Sequence, residues 1–243
     1  MGGVFLTETP VYKRVLLKLS GEALSGERGR GLDFSVMRAV CGAVQRCAAM
    51  GVEIGVVVGG GNFWRGVKDG GGNMDRARAD QIGMLATAMN ALALSDVFSQ
   101  LGQSAVVQTA VPMSSIAEGH DRLAAGRHLK EGRVVIFGCG TGNPFFSTDT
   151  AAVLRAAEIG AEAILLAKNI DGVYSADPKT DPTAVKYDHI GYDEVLSRHL
   201  AVMDSTATSL AMDNGIPVVV FALADPENIV RAVCGGKIGT RVD

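Results

Sequence analysis

The sequence predicts an α/β protein, a three-layer αβα sandwich with a mainly parallel central sheet. Three observations carry this expectation. Strand-like apolar runs and helix-like segments alternate along the whole length, and strand–helix–strand repetition closes into a parallel sheet with helices on both faces. Residues 52–58 are almost continuously apolar, as expected of a strand covered on both sides. The stretch Gly140-Thr141-Gly142-Asn143-Pro144-Phe145-Phe146-Ser147-Thr148-Asp149 lies between an apolar run at 134–137 and a helix-like segment at 150–159. A strand, a small-residue turn and a helix start together form an anion-binding site, where backbone N–H groups and the positive helix end meet a phosphate.

Taken in order, residues 1–10 read as a loose N-terminal tail, and Val15-Leu16-Leu17 as a short buried strand. Asp33 caps a helix whose Phe34, Met37, Val40, Cys41, Val44, Cys47 and Ala48 fall at three–four spacing, and Gly51 ends it. After the strand at 52–58, a long helix spans about 80–100, with Ile82, Leu85, Met89 and Leu92 on one face. Residues 105–107 and 134–137 supply further strands, with a helix over 122–130 between them. Strands at 163–167 and 218–221 follow the helix at 150–159, with helical segments near Glu194, at 203–214 and at 227–233. Residues 179–187, close to Pro178 and Pro182, read as an irregular excursion. No linker or low-complexity tract cuts the chain, so 11–243 is expected to form a single domain.

Composition narrows the function classes. Over 243 residues, 47% are hydrophobic and 20% charged, enough for a large core and without a disorder signature. The net charge of −3 argues against a general nucleic-acid binder, which needs a basic surplus or stripe. No apolar stretch reads as a membrane span, and the first ten residues lack a secretory layout. Cys41, Cys47, Cys139 and Cys234 have no C-x-x-C spacing and read as reduced core thiols of a cytosolic protein. The four histidines have no metal-ligand spacing, and no metal site held by protein ligands is expected.

In parallel sheets ligands bind beyond the carboxyl ends of the strands, and three strand exits stand out. Lys18-Leu19-Ser20-Gly21-Glu22 puts a positive charge beside a glycine turn; a phosphate contact and a solvated surface lysine both fit it. Gly59-Gly60-Gly61-Asn62, with Arg65 just beyond, allows close backbone approach to a ligand. The Gly140–Asp149 stretch is the third. Lys18, Arg65 and Asp149 are expected to meet at one sheet edge, where cations near backbone donors suit phosphoryl transfer. Asp149 either orients the lysine or sits near Mg²⁺, and the residues alone leave both open. No G-x-x-x-x-G-K-[ST], G-x-G-x-x-G or G-x-S-x-G motif occurs at a suitable place, so a kinase here uses another scaffold.

Five collinear segments resemble the bacterial uridylate (UMP) kinases of the amino acid kinase family. They are Tyr12 through Leu24; Gly59-Gly60-Gly61-Asn62 with Arg65-Gly66; Asp80 with Gly83-Met84-Leu85-Ala86-Thr87; Thr141 through Asp149; and Asp171-Gly172-Val173-Tyr174-Ser175-Ala176-Asp177-Pro178. The likeness spans 11–240, and Asp80 with the Thr141 segment sets it apart from kinases of acetylglutamate, aspartate, glutamate or carbamate. The resemblance implies transfer of the γ-phosphoryl of Mg·ATP to UMP in pyrimidine nucleotide synthesis, with an N-terminal acceptor-binding half and a C-terminal ATP-binding half. It implies that Lys18, Leu19, Ser20, Gly21, Gly61 and Arg65 contact ATP, and that Lys168, Asn169, Tyr174 and Asp177 frame its adenosine. Lys168 stands where many members carry Thr. Gly60, Asp80, Thr141, Gly142, Asn143, Pro144, Phe145, Phe146, Ser147 and Thr148 are implied to hold UMP. Without the resemblance, Asp80 reads as an ordinary helix cap and Tyr174 as a packed aromatic. The resemblance further implies a cytoplasmic homohexamer inhibited by UTP and activated by GTP through Gly26, Glu27, Arg28, Gly29, Arg30 and Gly31. A solvated charged loop fits those six residues equally well. Two rival readings are a small-acid kinase of the same fold and a non-catalytic nucleotide-binding regulator.

Overall fold

The computed structural model describes residues 9–65, 69, 73–200 and 202–243. Residues 1–8 of the expected tail, and Gly66, lie outside them. Strand β1 (Arg14–Leu19) leads through a 3-10 segment (Glu22–Arg28) into α1 (Phe34–Ala49) and β2 (Glu53–Val58). Then come α2 (Arg76–Gln100), β3 (Ala105–Thr109), β4 (Glu118–Gly119), α3 (Arg122–Lys130) and β5 (Val134–Gly138). The second half contains α4 (Thr148–Ile159), β6 (Ala163–Lys168), β7 (Val173–Tyr174), β8 (Lys186–Tyr187) and β9 (His189–Ile190). It closes with α5 (Tyr192–Ser197), α6 (Ser205–Asp213), β10 (Val218–Ala222), α7 (Glu227–Val233) and β11 (Thr240–Val242).

Among the described residues the main sheet runs β4-β3-β5-β2-β1-β6-β10-β11-β9. Its pairs are parallel except β10 with β11. Alternation along the strands splits the core into two layers. Leu17, Leu19, Val56, Val58, Leu165 and Phe221 face a layer shared with α1, α2 and α7. Leu16, Val57, Val135, Phe137, Ile164 and Leu166 face the other, shared with α3, α4, α5 and α6. This is the expected sandwich. The caps also follow expectation at α1, where the Asp33 carboxylate accepts from Ser35 N–H and Val36 N–H.

Three expectations need correction. Helix α2 begins at Arg76 and is capped by Asp75, whose side chain accepts from Arg78 N–H, so Asp80 sits a turn inside rather than at the start. Of the residues that share the Ile82, Leu85, Met89 and Leu92 face, Leu85 is 50% and Met89 49% exposed and Leu92 packs partly against the core, while Ala79, Met84, Ala86, Ala88, Ala91, Leu94, Val97 and Phe98 pack inward. Both faces of α2 are apolar, so periodicity does not say which one meets the sheet; the smaller residues do, because they allow close approach to β5. Helix α2 is also long and apolar enough by composition to cross a membrane, contrary to the sequence reading, but half of that span is buried within the fold. Finally, the excursion at 179–187 ends in β8, which pairs antiparallel with β7. Strands β4, β9 and β11 are too short to give a periodic signal.

Leu94 is fully buried in the α1–α2 layer. Leu94→Ala is expected to cost about 2–5 kcal/mol of unfolding free energy by urea titration, through lost burial and the cavity left behind.

Candidate active site

Strands β5, β2, β1 and β6 are consecutive neighbours, and their carboxyl ends stop together. Lys18 lies beside Val57 and Leu166, and Leu19 beside Val58 and Ala167. The loops that leave these strands therefore meet, and two glycines let them touch. A methyl on Gly21 would lie 2.4 Å from Gly59 O, and one on Gly60 would lie 2.8 Å from Ala86 Cβ. Buried Asn62 and Asn90 brace this contact: Asn62 Nδ2 donates to Asn90 Oδ1 at 2.9 Å and Asn90 Nδ2 to Gly59 O at 2.7 Å.

Lys18 is only 8% exposed, and its Nζ lies 2.7 Å from Asp149 Oδ1. Their orientation makes an ion pair without a directed hydrogen bond, so Oδ1 keeps its acceptor capacity. Asp149 stands in the first turn of α4, where Ser147 Oγ caps the helix by accepting from Asp149 N–H at 3.0 Å and Thr150 N–H at 3.1 Å. Ser147 Oγ in turn donates to Asp204, and Thr150 Oγ1 lies 3.2 Å from both oxygens of that carboxylate. Asp204 also caps α6 by accepting from Ala207 N–H at 2.9 Å. Lys168, at the end of β6, donates to Val202 O. Burial lowers the pKa of its ammonium; the neighbouring Asp149 and Asp204 carboxylates oppose that shift, and Lys18 adds to it. Two lysines thus interleave with two carboxylates at the sheet edge.

Arg65 was expected in this cluster, but its guanidinium is paired with Glu22 at 2.5 Å instead. Glu22 directly follows Gly21, so the β1 loop carries a carboxylate to the end of the β2 loop. Lys18 and Asp149 do meet.

Two cavities flank the lysine–aspartate pair. One, of about 150 Å³, is lined by Gly60, Asp80, Thr141, Asn143, Phe146, Ser147 and Thr148 from the expected acceptor set. Gly142, Pro144 and Phe145 belong to the same loop but are not in the lining. Phe145 has φ +72° and is 68% exposed, a left-handed conformation that a bulky residue adopts only when its surroundings hold it. Here Asp80 Oδ2 accepts from Phe145 N–H at 2.9 Å, and the Arg76 guanidinium stacks 5.6 Å from the ring centroid. Asp80 also pairs with Arg76 at 2.9 Å. The sequence reading missed Trp64, Met84, Thr87 and Cys139 in this lining. Thr87 Oγ1 accepts from Cys139 N–H at 2.7 Å and fixes the exit from β5.

The second cavity, of about 660 Å³, is lined by Lys18, Ser20, Lys168, Asn169, Tyr174 and Asp177 from the expected donor set. Leu19, buried in the core, lies outside the lining, as do Gly21, Gly61 and Arg65. Arg198, His199 and Leu200 complete its wall. Asp204 was also missed, although an Asp followed by Ser-Thr-Ala at a helix start is a recognisable cap. Gly26, Glu27, Arg28, Gly29, Arg30 and Gly31 line neither cavity. Glu27 through Arg30 are exposed, and Gly31 N–H donates to Asn62 O at 3.0 Å.

A further polar cluster lies behind the loop that follows β5. Arg155 of α4 is 3% exposed and pairs with Glu158 at 2.6 Å. His120 Nε2 lies 2.9 Å from the same Glu158 oxygen, and its ring packs edge-on against Phe137. Burial first, and then Arg155, hold His120 below its ordinary pKa of 6.5, against the pull of Glu158.

A buried lysine–aspartate pair between two loop-lined cavities, at the carboxyl edge of a parallel sheet, is the layout of a phosphoryl-transfer enzyme. The chain belongs to the amino acid kinase family, whose family model matches residues 13–222. It is similar to the solved UMP kinase of Bacillus anthracis at 38% identity and TM-score 0.92, over 96% of each chain. It is similar to the UMP kinase of Ureaplasma parvum at 34% identity and TM-score 0.90, over 95% of this chain and 98% of that one. The uridylate kinase of Archaeoglobus fulgidus matches at 31% identity and TM-score 0.74, over 94% of this chain and 99% of that one.

Gly21→Ala is expected to spread the β1 and β2 loops and remove most turnover while the far-ultraviolet circular dichroism stays native. Because the His120 pKa is lowered by folding, the unfolded chain binds its proton more readily. The stability this group contributes is full above its ordinary value and is lost as pH falls through the folded value. The melting temperature of the wild type should therefore drop more steeply than that of His120→Gln between about pH 7 and about pH 5.

Proposed function

We propose that the chain transfers the γ-phosphoryl group of Mg·ATP to UMP, giving UDP and ADP. The observation that carries this reading is the pair of cavities on either side of Lys18 and Asp149. The small one is lined by seven of the residues expected to hold UMP (Gly60, Asp80, Thr141, Asn143, Phe146, Ser147 and Thr148), and the large one by six of those expected to hold ATP (Lys18, Ser20, Lys168, Asn169, Tyr174 and Asp177). The names of the similar structures, UMP kinase and uridylate kinase, agree with it.

In this reading Gly60, Asp80 and the loop from Thr141 to Thr148 grip UMP in the N-terminal half. Ser20, Lys168, Asn169, Tyr174 and Asp177 receive the nucleotide of ATP in the C-terminal half. Backbone N–H groups of Ser20, Gly21 and Gly61 approach the phosphates of Mg·ATP, while Leu19 stays in the core and contributes only through the strand it ends. The donor set suits that ion: Mg²⁺ typically takes one or two carboxylates alongside substrate phosphates, and Asp149 pairs with Lys18 of the large cavity while Asp204 bonds Ser147 of the small one. When bound there with ATP, the ion would supply charge shielding for the phosphates. Lys18 then supplies a fixed positive charge against the group in flight, with Asp149 holding its ammonium in place. Arg65 joins by exchanging Glu22 for phosphate, and both partners are exposed enough to separate.

The reading extends to pyrimidine nucleotide synthesis in the cytoplasm by a homohexamer, inhibited by UTP and activated by GTP. Self-association is supported by the exposed apolar face of α2, with Leu85 and Met89 at its centre. A route for GTP acting on Gly26 through Gly31 is supported by the hydrogen bonds of Gly31 to Asn62, which adjoins Gly61.

A coupled assay should detect ADP formation that needs both UMP and Mg²⁺. Lys18→Ala is expected to lower kcat by about a hundredfold or more while the UMP KM changes little, since it removes charge stabilisation rather than acceptor binding. Phosphorylation of a small acid instead of UMP, or nucleotide binding without turnover, overturns the reading.

A further inference from the structure

Arg155 is the one buried arginine of the described residues, and the proposed reaction does not use it. An arginine and a glutamate three residues apart on a helix meet readily in solvent. Here the pair is turned inward, and burying a guanidinium is costly unless its donors are met. Nη1 donates to Glu158 at 2.6 Å, and Nη2 reaches 3.3 Å to Gly140 O in the loop that lines the small cavity. That loop leaves β5 through two successive left-handed residues, Cys139 at φ +64° and Gly140 at φ +59°. From the α2 side it is held by Thr87 on Cys139 N–H and by Asp80 on Phe145 N–H. From the α4 side, the Arg155 contact is the hydrogen bond that pulls against them. Glu158 is itself steadied by His120, which β4 and α3 bracket in sequence.

We propose that Arg155 is a positioning residue for the acceptor. Braced by Glu158, it fixes the Gly140 carbonyl, and with it the Thr141–Asn143 turn that lines the small cavity. This rests on the reading of that cavity as the UMP site. Arg155 does not touch the reacting atoms, so its effect should fall on acceptor binding and leave the ATP side alone. Lysine at 155 keeps the charge but cannot bridge two acceptors with a planar fork. Glutamine at 158 keeps the link to Gly140 but weakens the brace.

The test measures KM for UMP and for ATP, kcat, and UMP binding by calorimetry, which needs no turnover. Arg155→Lys and Glu158→Gln are compared with the wild type at a temperature well below each midpoint of unfolding. Arg155→Lys should raise both the KM and Kd for UMP about tenfold, the loss of a hydrogen bond from a charged donor. Glu158→Gln should move them the same way by less, with the ATP KM unchanged in both. Arg155→Met, if it folds, should exceed Arg155→Lys. Unchanged UMP constants with only a lower melting temperature, or an equal rise in both KM values, overturn the proposal. A wild type that binds UMP without turnover counts against the kinase reading but still lets the Kd values judge Arg155. A wild type that does not bind UMP overturns both.

Discussion

Lys18 sits one residue from the end of a strand that has parallel partners on both sides, so its backbone has no freedom to carry the charge into solvent. The side chain is nearly buried and must find a counter-charge, and Asp149 supplies it from the first turn of α4. That single ion pair joins β1 to the helix that begins where the acceptor loop ends, and so ties the two cavities to a common origin. A buried pair of this kind is weak evidence for stability, because desolvation offsets most of the Coulomb attraction. Its consequence is positional: the cation is held between the two cavities before any ligand arrives, as electrostatic preorganisation requires.

Around that pair the charges alternate. Lys168 comes from β6 and Asp204 from the start of α6, bridged to α4 through Ser147 and Thr150. Each lysine has a carboxylate within its field, so the cluster is close to neutral and tolerable in a partly buried place. In the proposed reaction Mg·ATP would enter such a site against little net repulsion, and its phosphates would compete with the carboxylates for both ammonium groups. The lowered pKa of Lys168 reflects the cost of keeping a second ammonium at this depth. A purely structural site would relieve that cost with an apolar side chain.

Helix α2 does three jobs that pull on its sequence in different ways. Its small residues admit the glycine loop after β2, where Ala86 leaves no room for a side chain on Gly60. Thr87 and Asp80 hold the loop after β5 by its backbone N–H groups. Its outer face keeps Leu85 and Met89 in solvent. A helix that is apolar nearly all round has no single face for periodicity to find, so the same composition explains its central place and leaves its orientation to packing.

Local sequence determined the elements that are long and locally coded. Strands β1, β2, β5, β6 and β10 announce themselves as apolar runs, α1 by its spacing and its Asp33 cap, and the loop after β5 by glycines, hydroxyls and a carboxylate in order. Lys18, Ser20 and the loop from Thr141 to Thr148 were legible for the same reason: they follow strands, and strand exits in parallel sheets are where ligands bind; Asp80, Lys168, Asn169, Tyr174 and Asp177 were implied only by the family resemblance. Tertiary structure decided the rest. Whether Arg65 faces Lys18 or Glu22, which side of α2 meets the sheet, and that Asp204 and Arg155 reach the site from helices α6 and α4 depend on contacts across tens of residues. No local pattern encodes those contacts, because a side chain's partner is set by strand order and helix packing rather than by its neighbours in the chain.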